Sequence, residues 1–269
     1  MDKTSYKCSI VVPVYNGEKF IDKTIQSCLD QTVPIEIIII NDASKDSSEK
    51  CILAYVDMGI VYIKNDTNLG LMKSLNKAVK YTHSNYLLFL GHDDMLRTDH
   101  VSLMLKEFDD DTAFVHCNAD LIDANDMIIG LGVNDERQLQ KMKYIKESLT
   151  ISNIIHSTGT IINKKYFDQI SGWDEQFRNY GEWLLWIKLA NVGKVKYCTQ
   201  VKAMYRRHET NITNTFTDNK VKIGLNVFFS YCRKTALELY RPNLLTRIKL
   251  IFNLIGSYIY RYLKKILKL

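Results

Sequence analysis

The chain has 269 residues, of which 46% are hydrophobic and 25% are charged, a composition that supports one large domain or two closely packed halves. The formal net charge is +6, but seven basic and no acidic side chains follow residue 238, so the preceding part has a net charge of −1. Because the globular part is not basic, the composition argues against a nucleic-acid-binding surface.

The six cysteines show no paired C-x-x-C spacing, and three of them lie in apolar runs that are typical of a core. We expect them to be reduced, which favours an intracellular compartment. A strand-like run begins at Cys8, which leaves no room for the apolar part of a signal peptide. Secretion is therefore not expected.

Short apolar runs alternate with helix-period segments in the first part of the chain. Strands are predicted over Cys8–Val14, Ile35–Ile40, Ile60–Ile63 and Tyr86–Leu90, and helices over Glu18–Leu29, Asp46–Tyr55 and Leu71–Tyr81. This alternation predicts an α/β fold with an open, mostly parallel, doubly wound sheet flanked by helices. Ligands of such sheets bind beyond the carboxyl ends of the strands.

The second half, from about residue 99 to 207, has a mixed pattern. Strands are predicted near Ala113–Cys117, Thr158–Ile162 and Val195–Tyr197, and a helix near Glu182–Asn191. We expect this half to pack on the sheet and to complete the site.

Two adjacent acids, Asp93 and Asp94, follow the apolar strand that ends near Leu90. Adjacent carboxylates at a strand end repel each other, and a divalent cation with phosphate oxygens relieves that repulsion while using hard oxygen ligands. The alternative is a polar turn that caps the following helix.

Further motifs surround this pair in a definite order. They are Val11–Glu18, Ile40–Asp46, Asn68–Gly70 with Asn76, Gly172–Glu175, Glu182–Ala190 and Tyr205–His208. Together with Gly91–Asp94, they resemble the family 2 glycosyltransferases, and the likeness covers roughly residues 8–213. The resemblance implies a GT-A nucleotide-sugar-binding fold, with residues 1–98 as the nucleotide-binding half and residues 99–240 as the acceptor half of one domain.

The resemblance also implies a set of donor-binding residues. Pro13, Tyr15 and Glu18 would line the nucleoside pocket, and Asp42 would accept hydrogen bonds from the base or the ribose. Donor contacts are further implied for Asn68, Gly70, Asn76 and Asp93. The alternatives are that Pro13 and Tyr15 only shape a turn, and that Asp42 caps the next helix.

Two departures from the family pattern affect the metal and the base. Gly91 stands where a D-x-D-D motif has its first acid, so Asp93 and Asp94 would hold Mn²⁺ or Mg²⁺ only together with the donor diphosphate. Gly181 and Glu182 stand where the family has an E-D pair, which makes Glu182 the expected catalytic base.

Other aromatic and imidazole side chains have competing interpretations. His208 would complete the metal or diphosphate site, as in some relatives, or serve as a structural histidine. For Trp183 and Trp186, three residues apart on a helix, core packing is favoured over stacking on the acceptor.

The combined expectation is an inverting hexosyl- or N-acetylhexosaminyltransferase. It would move a sugar from a UDP-sugar to a hydroxyl of a glycan or lipid-linked glycan during cell-surface polysaccharide synthesis. The alternative is a catalytically inactive subunit that binds nucleotide sugar or acts as a membrane scaffold. A sugar nucleotidyltransferase is disfavoured, because the first strand is not followed by a Gly-rich, basic phosphate loop.

The last segment, residues 241–269, is predicted to be a basic amphipathic helix. Its apolar stripe consists of Leu244, Ile248, Ile251, Ile255, Tyr258, Ile259, Tyr262 and Ile266. The longest uncharged run, Leu250–Tyr260, is shorter than the about 20 residues that span a bilayer. We expect a cytoplasmic protein held peripherally on the anionic inner face of the cell membrane. The alternatives are docking on its own domain or a homo-oligomer interface.

Overall fold

The computed structural model describes residues 6–209, 211 and 219–252. In its first half, strands and helices alternate. The strands are β1 (Cys8–Val14), β2 (Ile35–Asn41), β3 (Val61–Lys64) and β4 (Tyr86–Phe89), and the helices are α1 (Ile21–Leu29), α2 (Ser48–Leu53) and α3 (Leu71–Val79). A short 3-10 helix covers Val56–Met58.

The second half mixes strands of both directions with longer helices. Its strands are β5 (Thr112–Ile122), β6 (Ile128–Leu131), β7 (Ile161–Asn163) and β8 (Lys194–Arg206). Its helices are α4 (His100–Leu105), α5 (Asp135–Met142), α6 (Ile145–Ile151), α7 (Lys164–Gln169), α8 (Glu182–Val192) and α9 (Asn219–Tyr240). A 3-10 helix covers Glu175–Phe177, and residues 244–252 are helical.

Both halves contribute to one sheet, in which the described residues form eight strands in the order β3-β2-β1-β4-β7-β5-β6, with β8 paired to β5. β1, β2, β3 and β4 are mutually parallel, whereas β7 is antiparallel to both β4 and β5. The prediction of an open, mostly parallel α/β sheet flanked by helices is confirmed.

Apolar side chains cover both faces of the parallel strands. On β2, Ile37 and Ile39 face a core that includes residues of α1, while Ile38 and Ile40 face a second core with residues of α3 and α8. Burial on both faces explains why the strands read as continuous apolar runs. Among the described residues, none of the helices combines the length and the apolarity that crossing a bilayer requires.

One predicted strand is shorter in the structure than the sequence indicated. The segment Thr158–Ile162 was expected to be extended, but β7 begins only at Ile161. Gly159 has a positive φ of 78°, and the Thr160 amide donates to the Ser157 carbonyl at 3.1 Å, so a turn replaces the start of the strand.

Candidate active site

The loops that follow β1 and β2 are bound to each other. The Gly17 amide donates to the Ser48 hydroxyl at 2.7 Å, and the Glu18 amide donates to the Asp46 carboxylate at 3.0 Å. The Glu18 carboxylate in turn accepts from the Ser47 amide at 2.7 Å. Glu18, a predicted nucleoside-pocket residue, is thus already part of the loop structure.

Three other residues that are predicted to contact the donor lie at the carboxyl ends of the strands and are at least partly exposed to solvent. Pro13 is half-buried at the end of β1, and the Tyr15 ring beyond it is 44% exposed. Asn68 is exposed in the loop between β3 and α3. These positions are open to a ligand beyond the sheet edge.

Asp42 is buried and accepts three hydrogen bonds. The donors are the Asn65 side-chain amide at 2.8 Å, the Leu69 amide at 2.8 Å and the Gly70 amide at 2.9 Å. Asp42 therefore fixes the loop that leads into α3, rather than capping α2 as the alternative interpretation proposed. Its role toward a base or ribose stays a prediction.

Gly70 directly precedes α3, and Asn76 lies within α3. Gly70 has a φ of 87°, and a side chain on it would come within 3.1 Å of the Arg178 Nε atom. The Asn76 side chain donates to the Trp173 carbonyl at 2.8 Å and to the Glu175 carboxylate at 3.0 Å. Asn76 thus joins α3 to the segment that precedes α8, and its predicted donor contact stays untested.

The predicted metal residues Asp93 and His208 are in direct contact. The His208 Nε2 atom lies 2.8 Å from the Asp93 Oδ2 atom, and the Asn211 side chain donates to the same oxygen at 3.2 Å. Burial alone would raise the pKa of Asp93. The hydrogen bond with His208 and the nearby imidazoles together lower it by more, so the pKa of Asp93 lies below its usual value.

Asp94, the other predicted metal residue, is 4% exposed and has both carboxylate oxygens engaged. Oδ2 accepts from the Thr158 hydroxyl and Oδ1 from the Arg206 amide, each at 2.9 Å. Burial and then the charge of Asp93 raise the pKa of Asp94 well above its usual value. A cation beside the two carboxylates would favour their ionised forms.

The Arg206 side chain is fully buried beneath this loop. Its Nε atom donates to the Asp93 carbonyl at 2.8 Å, its Nη1 atom pairs with Asp126 at 2.6 Å, and its guanidinium stacks over the Phe20 ring at 4.7 Å. Arg206 therefore ties the Asp93–Asp94 loop to the turn between β5 and β6. The sequence motif around Tyr205–His208 marked the segment, but not this role.

Glu182 is the first residue of α8 and is half-buried. Burial raises the pKa of its carboxyl above the usual 4.5, and a hydrogen bond with the Ser157 hydroxyl opposes that rise. The positive end of the α8 dipole also favours the ionised form. The predicted base thus begins a helix whose other side chains are mostly buried, including Trp183 and Trp186 at 4% and 2% exposure.

The donor atoms at the Asp93–His208 contact fit a divalent ion in type but are few in number. A carboxylate oxygen and an imidazole nitrogen suit Mn²⁺. Within the described residues, no group of three His, Cys, Asp or Glu side chains is arranged to hold a metal ion. A Cβ on Gly91 would lie 2.8 Å from the Asp93 Oδ1 atom, so a third acid could not be added there without movement.

Comparison with known proteins identifies the family. The sequence profile described as "Glycosyl transferase family 2" matches residues 9–171, which is more than half of the chain. The chain belongs to glycosyl transferase family 2. The resemblance inferred from the motifs is thereby confirmed.

Sequence relatives of this family 2 glycosyltransferase include proteins of very different length. An uncharacterized glycosyltransferase of Rickettsia typhi is 32% identical over 217 residues, which are 77% of this chain and 66% of the relative. A chondroitin synthase of Pasteurella multocida is 29% identical over 218 residues, which are 79% of this chain and 22% of the synthase. The chain thus spans just under two thirds of the former relative and about a fifth of the latter.

Solved structures share the fold of this glycosyltransferase at low sequence identity. Staphylococcus aureus TarS 1-349 in complex with UDP-GlcNAc has a TM-score of 0.63 at 17% identity, covering 94% of this chain and 80% of TarS 1-349. The mannosyltransferase PcManGT of Pyrobaculum calidifontis, in complex with GDP-Man and Mn²⁺, has a TM-score of 0.62 at 12% identity, covering 97% and 84%. The predicted GT-A-like fold is confirmed.

Proposed function

We propose that this glycosyltransferase moves a hexosyl or N-acetylhexosaminyl group from a UDP-sugar to a hydroxyl of a glycan or lipid-linked glycan, with inversion at the anomeric carbon. The observation that carries the proposal is the convergence of Asp93, Asp94 and His208 beyond the carboxyl ends of the parallel strands. In open α/β sheets, that edge is where ligands bind.

The donor would lie along this edge. The nucleoside would contact Pro13 and Tyr15 beyond β1, near the loop that Asp42 fixes. Asp93 and His208, with Asp94 beside them, would hold a Mn²⁺ or Mg²⁺ ion together with the donor diphosphate. When bound, that ion neutralises negative charge on the leaving nucleoside diphosphate.

Glu182 would act as the general base on the acceptor side. Its carboxylate takes the proton from the acceptor hydroxyl as that oxygen forms a bond to the anomeric carbon and the bond to the diphosphate breaks. A single displacement from the face opposite the leaving group inverts the anomeric centre. Burial keeps the pKa of Glu182 above 4.5, which makes it a stronger base than an exposed glutamate.

The relatives support the choice of substrate class. TarS has been solved with UDP-GlcNAc, PcManGT with GDP-Man and Mn²⁺, and another relative is a chondroitin synthase. These names favour a nucleotide sugar as donor, a divalent ion as cofactor and a polysaccharide as the product to which the chain contributes.

A panel of nucleotide sugars tests the proposal. The purified chain is incubated with Mn²⁺ and UDP-GlcNAc, UDP-GalNAc, UDP-glucose, UDP-galactose or GDP-mannose, and release of the nucleoside diphosphate is measured. We expect release from a UDP-sugar, with faster release when a glycan acceptor is added. Tight UDP binding without release from any donor would instead indicate the inactive nucleotide-sugar-binding subunit.

We further propose that the carboxyl-terminal segment attaches the enzyme to the cytoplasmic face of an anionic membrane. Residues 244–252 are helical and expose large apolar side chains, among them Leu244 at 72%, Leu245 at 79% and Phe252 at 69%. The rest of the predicted stripe, from Ile255 to Ile266, lies outside the described residues. Seven basic and no acidic side chains after residue 238 supply the charge complement to anionic lipid.

Liposome flotation tests the attachment. Full-length protein should float with vesicles that contain anionic lipid and detach as salt rises, because exposed charges are screened over about 8 Å at physiological ionic strength. A chain ending at residue 240 should stay in the soluble fraction. Equal flotation of both forms would contradict the proposal and direct attention to the alternatives of an oligomer interface or docking on the domain.

A further inference from the structure

The backbone at the end of β8 runs beside the two carboxylates of the candidate active site. The Arg206 amide donates to the Asp94 Oδ1 atom at 2.9 Å, and the His208 Nε2 atom lies 2.8 Å from the Asp93 Oδ2 atom. Arg207 stands between these two residues in the chain. Its backbone is therefore held next to this pair of acids.

The side chains at the end of β8 contact two different parts of the molecule. The Arg206 guanidinium lies 4.7 Å from the centre of the Phe20 ring at the start of α1, and the His208 ring lies 5.0 Å from it. Successive side chains of an extended chain point to opposite faces. Arg207 accordingly shares a face with Tyr205, and its guanidinium lies 5.9 Å from the centre of that ring.

The Tyr205 ring is supported by the second half of the chain. It packs edge-on against His156, with 5.3 Å between the ring centroids and an interplanar angle of 75°. His156 lies in the segment that precedes β7, where the Thr158 hydroxyl donates to Asp94 at 2.9 Å. The row of His156, Tyr205 and Arg207 therefore adjoins the site on the side where Asp94 meets the second half of the chain.

The guanidinium of Arg207 carries the charge of this row. Burial lowers the pKa of His156 to about 4, so that imidazole is neutral at pH 7. Arg207 is exposed, and no acidic side chain among the described residues forms an ion pair with it. Arg206, in contrast, is buried and lies 2.6 Å from Asp126. A guanidinium over an aromatic ring presents a planar fork of N–H groups, which matches a carboxylate or a phosphate.

We propose that Arg207 binds an anionic group of the acceptor and thereby determines acceptor specificity, an inference that rests on the proposed function. The two faces of β8 indicate the acceptor rather than the donor. Arg206 and His208 face the start of α1, which follows the strand whose end is proposed to contact the nucleoside. Arg207 adjoins the second half of the chain, which also contains the proposed base, Glu182. The acceptor is therefore a glycan that carries a uronic acid or a phosphate.

Three acceptors that differ in one group test this assignment. A p-nitrophenyl β-glucuronide carries a carboxylate, the corresponding glucoside 6-phosphate carries a phosphate, and the glucoside itself is neutral. Each is added with Mn²⁺ and the UDP-sugar that the donor panel selects, and UDP release above the rate with water is measured. We expect kcat/KM for one anionic acceptor to exceed that for the glucoside by about 10–100-fold, the effect of hydrogen bonds to a charged group. The preferred acceptor identifies the anion as a carboxylate or a phosphate.

Arg207→Gln should remove most of this preference. Glutamine keeps a hydrogen-bonding side chain but has no charge, so kcat/KM should fall about 10–100-fold for the preferred anionic acceptor and by less than about threefold for the glucoside. The loss should appear mainly in KM, because the contact is made in the ground state as well as in the transition state. Arg207→Lys keeps the charge without the planar fork and should recover part of the preference. A purely structural role would lower the rates with all three acceptors alike.

Arg137→Gln is the matched control. Arg137 is an exposed arginine of α5, and the first residue of that helix, Asp135, binds Tyr197 in the first half of β8 rather than at its end. Its replacement removes the same charge from the surface, so the preference for the anionic acceptor should stay at the wild-type value. An equal loss of preference in both variants would reflect the general charge of the surface and would overturn the assignment of Arg207.

Two further results would overturn the inference. The first is a wild-type chain that uses the three acceptors equally, or is stimulated by none of them. The second is a fall in UDP affinity of Arg207→Gln, measured by calorimetry with Mn²⁺, as large as its loss with the anionic acceptor, since Arg207 would then contact the donor diphosphate.

Failure of the proposed function gives a different result. The wild-type chain would then bind no UDP in the presence of Mn²⁺ and release none from any UDP-sugar, with water or with any acceptor, and the assignment of Arg207 would fall with it. A wild-type chain that binds UDP and releases it from a UDP-sugar, but shows no preference for an anionic acceptor, would overturn only the assignment of Arg207.

Discussion

The loops on the predicted donor side of this glycosyltransferase and the helix α8 on its predicted acceptor side hold their polar groups in place by different means. After β1 and β2, the loops bind each other through side chains such as Glu18 and Ser48. On the acceptor side, Glu182 begins a helix in which Trp183, Trp186 and most other side chains are buried. Hydrogen bonds order the first region, and apolar packing orders the second.

This difference determines what a substitution should change. In the donor region, polar residues such as Asp42 both build the loop and adjoin the expected ligand, so their loss should affect stability and binding together. In α8, the buried apolar residues should carry the stability, so loss of Glu182, the proposed base, should affect activity more than stability. Substitutions in the two regions therefore test whether stability changes together with binding or activity.

The largest effect is expected for Glu182→Gln. Glutamine keeps the size of the side chain but cannot accept the proton, so turnover should fall by about 10²–10⁴-fold. UDP binding, measured by calorimetry, and the melting temperature should stay near wild-type values. Because burial raises the pKa of Glu182, wild-type activity should also decline on an acidic limb that lies above pH 4.5.

Glu136→Gln is the control for a purely helical role of Glu182. Glu136 is an exposed acid in the first turn of α5. Removing either charge loses its interaction with the helix dipole, which should lower stability by about 0.3–1 kcal/mol. Only Glu182→Gln should also stop turnover. Near-normal sugar transfer by Glu182→Gln would place the base elsewhere, with Asp174 the next candidate.

His208→Ala should have the next largest effect, on donor binding. It removes the imidazole that contacts Asp93, so UDP affinity in the presence of Mn²⁺ should fall about 10–100-fold. UDP affinity without Mn²⁺ should change little. His83→Ala is the control, since His83 forms a comparable pair with Glu36 outside the site, 2.6 Å apart. An equal loss with and without Mn²⁺ would favour a purely structural histidine.

Asp42→Asn should show the coupling expected of the donor region. One carboxylate oxygen becomes an amide that cannot accept from the Leu69 or Gly70 amide, which costs about 1–3 kcal/mol of folding free energy. The melting temperature should fall by about 2–4 °C per kcal/mol, and UDP binding should weaken. Asp66→Asn, an exposed acid of the same loop, is the control. Weaker binding at unchanged stability would mean that Asp42 only reads the nucleotide.

The sequence predicted the sheet well because its strands are buried on both faces. Cys8–Val14 was placed with its observed bounds, and the other parallel strands lie within one or two residues of their predicted ends. The elements of the second half were harder to predict from the sequence. β6 (Ile128–Leu131) has mostly exposed side chains, and α5 is largely polar, so neither has the apolar periodicity on which such a prediction depends.

The site was predicted in part, because ordered motifs mark residues but not their contacts. Motif order indicated Asp93 and His208, which the structure brings to 2.8 Å. The partners of Asp94 could not be found in this way. The Thr158 hydroxyl and the Arg206 backbone amide lie 64 and 112 residues from it in sequence. A lone threonine has no distinguishing local pattern, and the Tyr205–His208 motif marks Arg206 without indicating that its amide binds Asp94.

The smallest expected effect comes from Trp183, beside the proposed base. Its Nε1 atom donates to the Leu149 carbonyl at 2.8 Å, and its side chain is only 4% exposed, so we expect the ring to pack in the core rather than to stack on an acceptor. Trp183→Phe should lower the free energy of unfolding by about 1 kcal/mol beyond any loss of packing, because the Leu149 carbonyl loses its donor. The rate of UDP release should change by less than about twofold.

Trp186→Phe supplies the matched comparison for that hydrogen bond. The Trp186 Nε1 atom is buried and has no hydrogen-bond partner among the described residues, so replacing it removes similar volume without removing a bond. Chemical denaturation of both variants should therefore show the larger loss for Trp183→Phe. If Trp183→Phe instead slowed sugar transfer to a glycan acceptor at unchanged stability, the ring would have to contact that acceptor. The apolar residues of α8 would then take part in acceptor binding as well as in packing. Stability and activity would in that case depend on the same residues in the first turn of α8.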